Sequence, residues 1–290
     1  MSTPKTTPKT TPMTTIPNVL SIAGVDPSGG AGILADVKAM SALGAYGCAI
    51  VAALTAQNTQ AVTHIHPVPV EFVGAQIDTL FNDVEIAAAK IGMLGQAPVI
   101  RMVADKLGGR CPRHLVLDPV MVAKSGDMLL EPNAVGQLRE ALLPLATMIT
   151  PNLPEAGVLL ERTGAESVKA MRQHAERLRE QMSHDGQRWV FLKGGHLPGN
   201  ETTDLLHDGD VMIELPGQRI NTRNTHGTGC TLSAALATLL AHGLPAQEAA
   251  EQAKAYLVQA IASADQLSVG QGHGPVNHFH ALWKTTSTIE

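Results

Sequence analysis

Two hydrophobic patterns alternate along the chain. Short, nearly continuous apolar runs predict β-strands over residues 18–24, 48–55, 85–92, 114–120, 147–150 and 189–195. Apolar residues that recur every three or four positions predict helices over residues 30–43, 71–82, 95–108, 131–143, 153–161, 167–183, 227–242 and 246–265. Apolar strands of this kind are typical of a parallel sheet that is covered on both faces. The alternation therefore predicts an α/β fold, with a doubly wound, mostly parallel central sheet and helices on both faces.

Residues 202–220 show a different pattern. Apolar and polar residues alternate there on both sides of "DGD", which predicts a β-hairpin at an antiparallel edge of the sheet. No internal repeat and no flexible interior linker interrupts the pattern, so we expect a single domain over residues 18–285. Residues 1–17 are rich in Thr, Pro and Lys, and we expect them to form a disordered tail without a secretory signal.

Composition narrows the class of protein. The 290 residues are 44% hydrophobic and 16% charged, with a net charge of −5 and no basic block, which argues against nucleic acid or an anionic membrane as a general partner. No apolar run approaches the ~20 residues of a membrane span. The three cysteines are too few for a disulfide framework, so we expect a cytoplasmic protein in which Cys48 and Cys111 are core thiols.

Unusual residues collect where the predicted strands end. These loops read "AGVDPSGGAG" (23–32), "TAQNT" (55–59), "KIGMLG" (90–95), "LDPVMVAKSGD" (117–127), "TPNLPE" (150–155), "LKGGH" (192–196) and "NTHGTGC" (224–230). The carboxyl ends of parallel strands lie at one edge of a sheet, where ligands bind. The clustering therefore predicts an active site at this edge.

The segment "NTHGTGC" has the features of an anion site. It enters the apolar helix pattern through Gly227 and Gly229, which let backbone amides approach a ligand closely. The amino terminus of the helix adds a partial positive charge. Neither a P-loop nor a complete dinucleotide-binding glycine pattern is present in the sequence.

Taken together, these segments resemble a known family. "AGVDPSGGAGILADVKAMSALGAYG", "ALTAQNTQAV", "KIGMLG", "DPVMVAKSGD", "ITPNLPEA", "LKGGH" and "NTHGTGCTLSAALA" are similar to the ribokinase superfamily, and within it to bacterial hydroxymethylpyrimidine/phosphomethylpyrimidine kinases of thiamine biosynthesis. The resemblance runs from residue 18 to "GPVNHFHALW" (274–283). It implies a ribokinase-like three-layer sandwich, ATP and Mg²⁺ as cofactors, and a homodimer.

The resemblance also implies roles in phosphoryl transfer, which needs mainly positioning and charge neutralisation. The amides of Gly227, Thr228, Gly229 and Cys230 would hold the transferring phosphoryl group. Lys193 would reach the nucleotide phosphates as a point charge, unless it is simply a surface lysine.

Four further residues would complete the nucleotide side. Asn152 and Thr225 would contact the nucleotide, and Asp118 and Glu155 would be carboxylates on the Mg²⁺ side, with contacts that can run through water. Glu155 also reads as a first-turn carboxylate stabilised by the helix dipole, and the two roles are compatible.

The acceptor pocket depends on Gln57. Its planar amide offers one acceptor and two donors, which match a ring nitrogen and an exocyclic amine of an aminopyrimidine. The family implies this role for Gln57. Gly24 and Asp36 would complete the polar side, and Met93 and Val120 would sandwich the ring.

Cys230 has two open interpretations. A thiol at a helix amino terminus has a lowered pKa, and a thiolate there could accept the proton of the substrate hydroxyl. Alternatively, the sulfur only fills space, because a loose transition state needs little help from a base. The base hypothesis predicts that Cys230→Ser lowers turnover more than substrate affinity.

The resemblance implies phosphorylation of 4-amino-5-hydroxymethyl-2-methylpyrimidine to its monophosphate and then to its diphosphate. A pyridoxal or pyridoxine kinase on the same fold is the alternative, which the hydrogen bonds of Gln57 would disfavour. A non-catalytic ligand-binding regulator is a further alternative, against which the presence of Lys193, Asp118 and the Gly-Thr-Gly-Cys segment argues.

Overall fold

A computed structural model describes residues 15–123, 125–131 and 133–283. Its strands form one nine-stranded sheet. The strands are β1 (Asn18–Val25), β2 (Tyr46–Gln57), β3 (Val62–Pro67), β4 (Ala88–Ile91), β5 (His114–Leu117), β6 (Met148–Ile149), β7 (Trp189–Leu192), β8 (Asp204–His207) and β9 (Met212–Leu215).

Eight α-helices connect or follow these strands in the described residues. They are α1 (Gly32–Ala42), α2 (Val70–Phe81), α3 (Ala97–Gly108), α4 (Ala134–Gln137), α5 (Leu153–Leu159), α6 (Val168–Gln181), α7 (Thr228–Ala241) and α8 (Ala246–Ala262). A π-helical turn, Leu138–Leu142, continues α4, and a short 3₁₀ turn, Ala264–Gln266, follows α8.

The sheet is parallel in its centre and antiparallel at both edges. Its order is β3-β2-β1-β4-β5-β6-β7-β8-β9, and every pair from β2 to β7 is parallel. The edge strand β3 runs antiparallel to β2, while β8 and β9 form an antiparallel hairpin beside β7. Strand β2 lies on one side of β1, and β4 lies on the other. The connections that follow β1 and β4 therefore lead in opposite directions, which leaves a crevice at the carboxyl ends of these two strands.

Helices cover both faces of the sheet and define two cores. Val19 on β1 packs with residues of α1, α7 and α8, whereas its neighbour Leu20 packs into the larger core on the opposite face. Successive side chains of a strand point to opposite faces, so a strand buried on both faces must be apolar at nearly every position. The strand "NVLSIAGV" satisfies this requirement, with all six interior residues buried.

The predicted α/β class, the helices on both faces and the hairpin edge are confirmed. Strand β3 was missed, because none of its six residues is buried and half of them are polar, so that its pattern is that of a loop. Cys48 is buried as expected, but the prediction for Cys111 is wrong because this thiol is exposed.

The predicted tail, residues 1–17, lies mostly outside the described residues. No helix in the described ranges is long and apolar enough to cross a membrane.

Candidate active site

The period of two along the strands directs a group of polar side chains to one face of the sheet. One residue from each of five strands packs in the core under α1, α7 and α8: Val19, Ala88, Val116, Met148 and Phe191. The residues two positions later share that face. They are Ser21, Lys90, Asp118, Thr150 and Lys193. Because they follow the apolar positions towards the carboxyl ends of the strands, they lie beneath the start of α7.

Lys193 lies at the centre of a small charged cluster. Its Nζ lies 3.0 Å from Asp118 Oδ1 and 3.8 Å from Glu155 Oε2. Thr150 donates a hydrogen bond of 3.0 Å to the same oxygen of Asp118, and Ser233 of α7 donates one of 3.3 Å to the other. The side chain of Lys193 is 16% exposed, which leaves its ammonium group accessible from the cavity.

The cluster sets the charge of its members. Burial alone would lower the pKa of Lys193, but the carboxylates of Asp118 and Glu155 outweigh it and raise that pKa. Burial would raise the pKa of Asp118, but Lys193 and Lys90 outweigh it and lower it. Glu155 is different, because burial dominates there and raises its pKa to about 7. The cluster therefore holds a permanent cation and a permanent anion, with a second carboxyl group that titrates near neutral pH.

The amino terminus of α7 stands over this cluster. Gly227 caps the helix with a φ of 79°, in the left-handed region that glycine adopts readily. A Cβ on Gly227 would lie 1.7 Å from the carbonyl oxygen of Gly30, so the loop after β1 packs directly against the start of the helix. A Cβ on Gly229 would lie 3.3 Å from Lys193 Nζ, so the helix start and this cation face each other at close range. We call residues 227–230 the amide cradle.

Two residues that the sequence did not single out join this arrangement. His226 Nε2 lies 2.7 Å from Asp26 Oδ2, and both side chains are buried. The pair links the loop after β1 to the residue that precedes the amide cradle. No local pattern could reveal it, because the partners are 200 positions apart in the sequence.

The structure corrects the prediction for Asp36. This carboxylate is completely buried and does not line the cavity. It lies 2.7 and 2.9 Å from Lys90 Nζ and accepts a hydrogen bond of 2.6 Å from the hydroxyl of Ser21. Burial alone would lower the pKa of Lys90, but the carboxylate of Asp36 outweighs it and raises that pKa, whereas burial raises the pKa of Asp36 although Lys90 opposes that shift. Asp36 therefore neutralises a buried lysine and lies outside the cavity lining.

Cys230 lies where the sequence placed it, in the cavity wall at the first turn of α7. The expected lowering of its thiol pKa is wrong for this structure. Burial raises the pKa of the Cys230 thiol to about 11, although Lys90 opposes that shift.

The other four predicted acceptor residues border the same cavity, which has a volume of about 1310 Å³. Gln57 ends β2, and its Oε1 lies 3.1 Å from the hydroxyl of Thr55. Gly24 and Met93 meet across the adjacent strand ends, because a Cβ on Gly24 would lie 2.5 Å from Met93 Cε. Val120 completes this group of lining residues. Gln57, Gly24, Met93 and Val120 thus share one cavity with Lys193 and the amide cradle.

Asn152 and Thr225 line the cavity as well, and the side chain of Asn152 also caps helix α5. Its side chain accepts a hydrogen bond of 2.8 Å from the amide of Glu155, and Glu155 Oε2 accepts one of 2.8 Å from the amide of Asn152. This capping box begins α5 and fixes the direction of both side chains. Both interpretations of Glu155 are thereby compatible with its position.

The donor set suits a weakly held, hydrated cation. No group of three or more His, Cys, Asp or Glu side chains in the described ranges has the arrangement of a metal site. Asp118 and Glu155 are two carboxylates, and both lie against Lys193. Mg²⁺ in nucleotide sites is typically held by one or two carboxylates, by phosphate oxygens and by several waters. The residues present fit that mode of binding and do not form an all-protein cage.

Comparisons with known proteins agree with this geometry. The family model described as phosphomethylpyrimidine kinase matches residues 26–277. The chain belongs to the phosphomethylpyrimidine kinase family. A hydroxymethylpyrimidine/phosphomethylpyrimidine kinase from Rhizobium meliloti is 52% identical over 265 residues, which cover 91% of this chain and 98% of the relative. Its counterpart from Escherichia coli is 48% identical over 266 residues, with 92% and 98% coverage.

Solved structures place this family member in the same fold group as vitamin kinases. Phosphomethylpyrimidine kinase from Clostridium difficile superposes with a TM-score of 0.74 at 37% identity, over 84% of this chain and 99% of that one. Pyridoxal kinase from Staphylococcus aureus, in complex with AMP-PCP and pyridoxal, superposes with a TM-score of 0.82 at 30% identity, over 92% and 94%. The expected ribokinase-like fold is confirmed.

Proposed function

We propose that this chain transfers the γ-phosphoryl group of ATP to the hydroxymethyl group of 4-amino-5-hydroxymethyl-2-methylpyrimidine, and then a second phosphoryl group to the monophosphate. The observation that carries the proposal is the single cavity in which the amide cradle and Lys193 border Gln57, Met93 and Val120. Relatives at 48–52% identity over nearly their whole length bear the name of this two-step kinase.

The amide cradle and Lys193 supply the charge complementarity that phosphoryl transfer needs. Backbone amides at a helix start favour an anion, and the ammonium of Lys193 lies beside the start of this helix. Since the transition state spreads negative charge over the equatorial oxygens, fixed donors in a partly buried site stabilise it without reorganising. Asp118 holds Lys193 in place through the 3.0 Å ion pair.

Mg²⁺ bound to the nucleotide would neutralise phosphate charge, and Asp118 and Glu155 are the residues that would hold it, directly or through water. Glu155 would hold the cation as an ionised carboxylate. Because the pKa of Glu155 is about 7, a cation bound nearby would favour this ionised form near neutral pH. Asn152 and Thr225 would contact the nucleotide from the cavity wall.

Gln57 and the apolar residues beside it would choose the acceptor. A planar amide pairs with a ring nitrogen and an exocyclic amine, and the neighbouring Thr55 hydroxyl orients that amide. Met93 and Val120 offer apolar contact to the faces of a flat ring. In this proposal Cys230 receives the proton of the acceptor hydroxyl as a thiolate.

The alternative acceptor is pyridoxal or pyridoxine, because a pyridoxal kinase shares the fold with a TM-score of 0.82. That structure is 30% identical to this chain, whereas the pyrimidine kinases are 48–52% identical. A ring without the amine would leave part of the half-buried Gln57 amide without a partner in the complex, so the site should bind it less well than the aminopyrimidine.

Product analysis tests the proposal. The protein is incubated with ATP, Mg²⁺ and either the pyrimidine alcohol or pyridoxal, and products are identified by mass spectrometry. We expect the pyrimidine mono- and diphosphate in sequence, abolished in Lys193→Met and unchanged in the exposed control Lys169→Met. A preference for pyridoxal would overturn the assigned acceptor, and the absence of any phosphorylated product would overturn the kinase assignment.

The oligomeric state is part of the same proposal. We propose a cytoplasmic homodimer, as the family resemblance implies. The edge formed by β2, β3 and α2 exposes large apolar side chains, among them Tyr46, Leu54 and Phe72 at 65%, 48% and 60%. Light scattering after size-exclusion chromatography should give a mass of twice 30.5 kDa, and a monomer mass would refute the dimer.

A further inference from the structure

The hydrogen bond between Asp26 and His226 connects two parts of the cavity wall. His226 Nε2 lies 2.7 Å from Asp26 Oδ2, both residues line the cavity, and they are 6% and 2% exposed. Burial would raise the pKa of Asp26, but hydrogen bonds from His226 and Ser28 outweigh it and lower that pKa. Because an ionised carboxylate only accepts hydrogen bonds, Nε2 of His226 carries the hydrogen and donates it.

Asp26 also determines the shape of its own loop. Its Oδ1 accepts hydrogen bonds of 2.8 and 2.7 Å from the amide and hydroxyl of Ser28. Its Oδ2, which contacts His226, accepts one of 3.0 Å from the amide of Ala31. One carboxylate therefore folds the loop of residues 26–31 and fastens the folded loop to the residue before the amide cradle.

The fastened loop packs against the cradle without space for a side chain. A Cβ on Gly30 would lie 2.3 Å from Cδ2 of His226, and a Cβ on Gly227 would lie 1.7 Å from the carbonyl oxygen of Gly30. The loop thus forms a wall beside the amides that would receive the phosphoryl group. Water that reaches this point competes with the acceptor alcohol for the same phosphorus atom.

We propose that His226 and Asp26 are positioning residues that hold the 26–31 loop against the amide cradle and thereby direct the phosphoryl group to the acceptor alcohol and not to water. This inference rests on the proposed kinase function. In transfer, the acceptor oxygen bonds to the γ-phosphorus, the bond to the bridging oxygen breaks with its electron pair going to ADP, and the hydroxyl proton is released. In the competing reaction, water takes the place of the alcohol and the products are ADP, inorganic phosphate and a proton.

The test compares the ADP formed with the phosphoryl groups transferred to the pyrimidine in the same reaction, counting one group for each monophosphate and two for each diphosphate. The wild type should give a ratio close to one. His226→Leu removes the donor to Asp26, and we expect the ratio to rise roughly tenfold because a loosened wall admits water. His226→Gln retains a side-chain donor of similar reach and should return the ratio towards that of the wild type. His242→Leu is the matched control, because His242 contacts the carbonyl of Leu43 outside the cavity.

Each outcome decides a different point. A merely structural pair would lower ADP and product together, so an unchanged ratio in a folded His226→Leu protein overturns the inference. Should His226→Leu fail to fold, His226→Asn replaces it, since its shorter amide cannot reach Asp26, and the same ratio decides. A wild type that phosphorylates neither alcohol would overturn the proposed function itself, whereas normal wild-type transfer with an unchanged variant ratio overturns this inference alone.

Discussion

Lys90 and Asp36 form an ion pair in which neither side chain has any exposed surface. The ammonium nitrogen lies 2.7 and 2.9 Å from the two carboxylate oxygens, directly beneath the layer that carries the amide cradle. Removing one partner leaves an uncompensated buried charge, whereas removing both removes the charges together. We therefore expect Lys90→Met or Asp36→Asn alone to lower the free energy of unfolding by about 3–5 kcal/mol.

The double variant Lys90→Met/Asp36→Asn should be more stable than either single variant, because the two losses are coupled through one contact. Urea unfolding of all four proteins gives the coupling energy. Strictly additive losses would show that the pair does not act as a unit.

Gly227 tests the close packing of the cradle. Gly227→Ala would place a side chain on a residue whose φ is 79°, which strains the backbone. The added Cβ would also clash with the carbonyl oxygen of Gly30. Gly243→Ala is the matched control, because its φ is 87° but nothing lies within 4 Å of the added carbon. We expect the control to lose about 1–2 kcal/mol of stability and Gly227→Ala to lose more, together with phosphoryl transfer. Equal losses in urea unfolding would contradict the packing described for the cradle.

The thiol of Cys230 should make the rate of phosphoryl transfer depend on pH. Its thiol pKa is raised to about 11, so the thiolate is a minor form at neutral pH and increases as the pH rises towards that value. If the thiolate accepts the proton, the single-turnover rate should rise by up to roughly tenfold per pH unit between about pH 7 and about pH 9. Cys230→Ser should be slower and should lack this dependence, with little change in acceptor affinity. A serine variant with the same pH profile and the same rate would rule out the base role.

Gln57 should control the choice of acceptor. Gln57→Leu removes the amide that pairs with the aminopyrimidine, and we expect kcat/KM for the pyrimidine alcohol to fall roughly 10- to 100-fold, with a smaller effect on pyridoxal. Gln60→Leu, three positions later on an exposed turn, is the matched control. Steady-state kinetics with both alcohols measures the change, and equal losses for both would remove Gln57 from the acceptor assignment.

The sequence predicted the fold well because its signals are local. Strands such as "NVLSIAGV" are apolar throughout, and the hairpin around "DGD" carries its own turn residues. Strand β3 failed because an edge strand with exposed His64 and His66 has neither the apolar run nor the alternation of a covered strand. Element boundaries elsewhere differ by a few residues at most strand ends, as for β4, which begins at Ala88 and not at residue 85.

Loop motifs in the sequence marked most of the residues that line the candidate cavity, whereas contacts that only the tertiary structure creates were missed. Lys193, Asp118, Glu155 and the glycines of the cradle follow strand ends and carry visible motifs. Asp36 was misplaced because an acidic residue on a helix after a glycine-rich loop gives no sign of a buried lysine 54 positions away. The Asp26–His226 pair was missed for the same reason, at a separation of 200 positions. The thiol pKa of Cys230 was misjudged because a helix terminus is visible in sequence and burial is not.

A crystal structure with Mg²⁺ and a non-hydrolysable ATP analogue tests the central claim most directly. The account predicts that the terminal phosphate lies within hydrogen-bonding distance of the amides of residues 227–230 and of Lys193 Nζ, with its phosphorus facing the Gln57 side of the cavity. A triphosphate bound elsewhere, with the cradle and Lys193 out of contact, would contradict it.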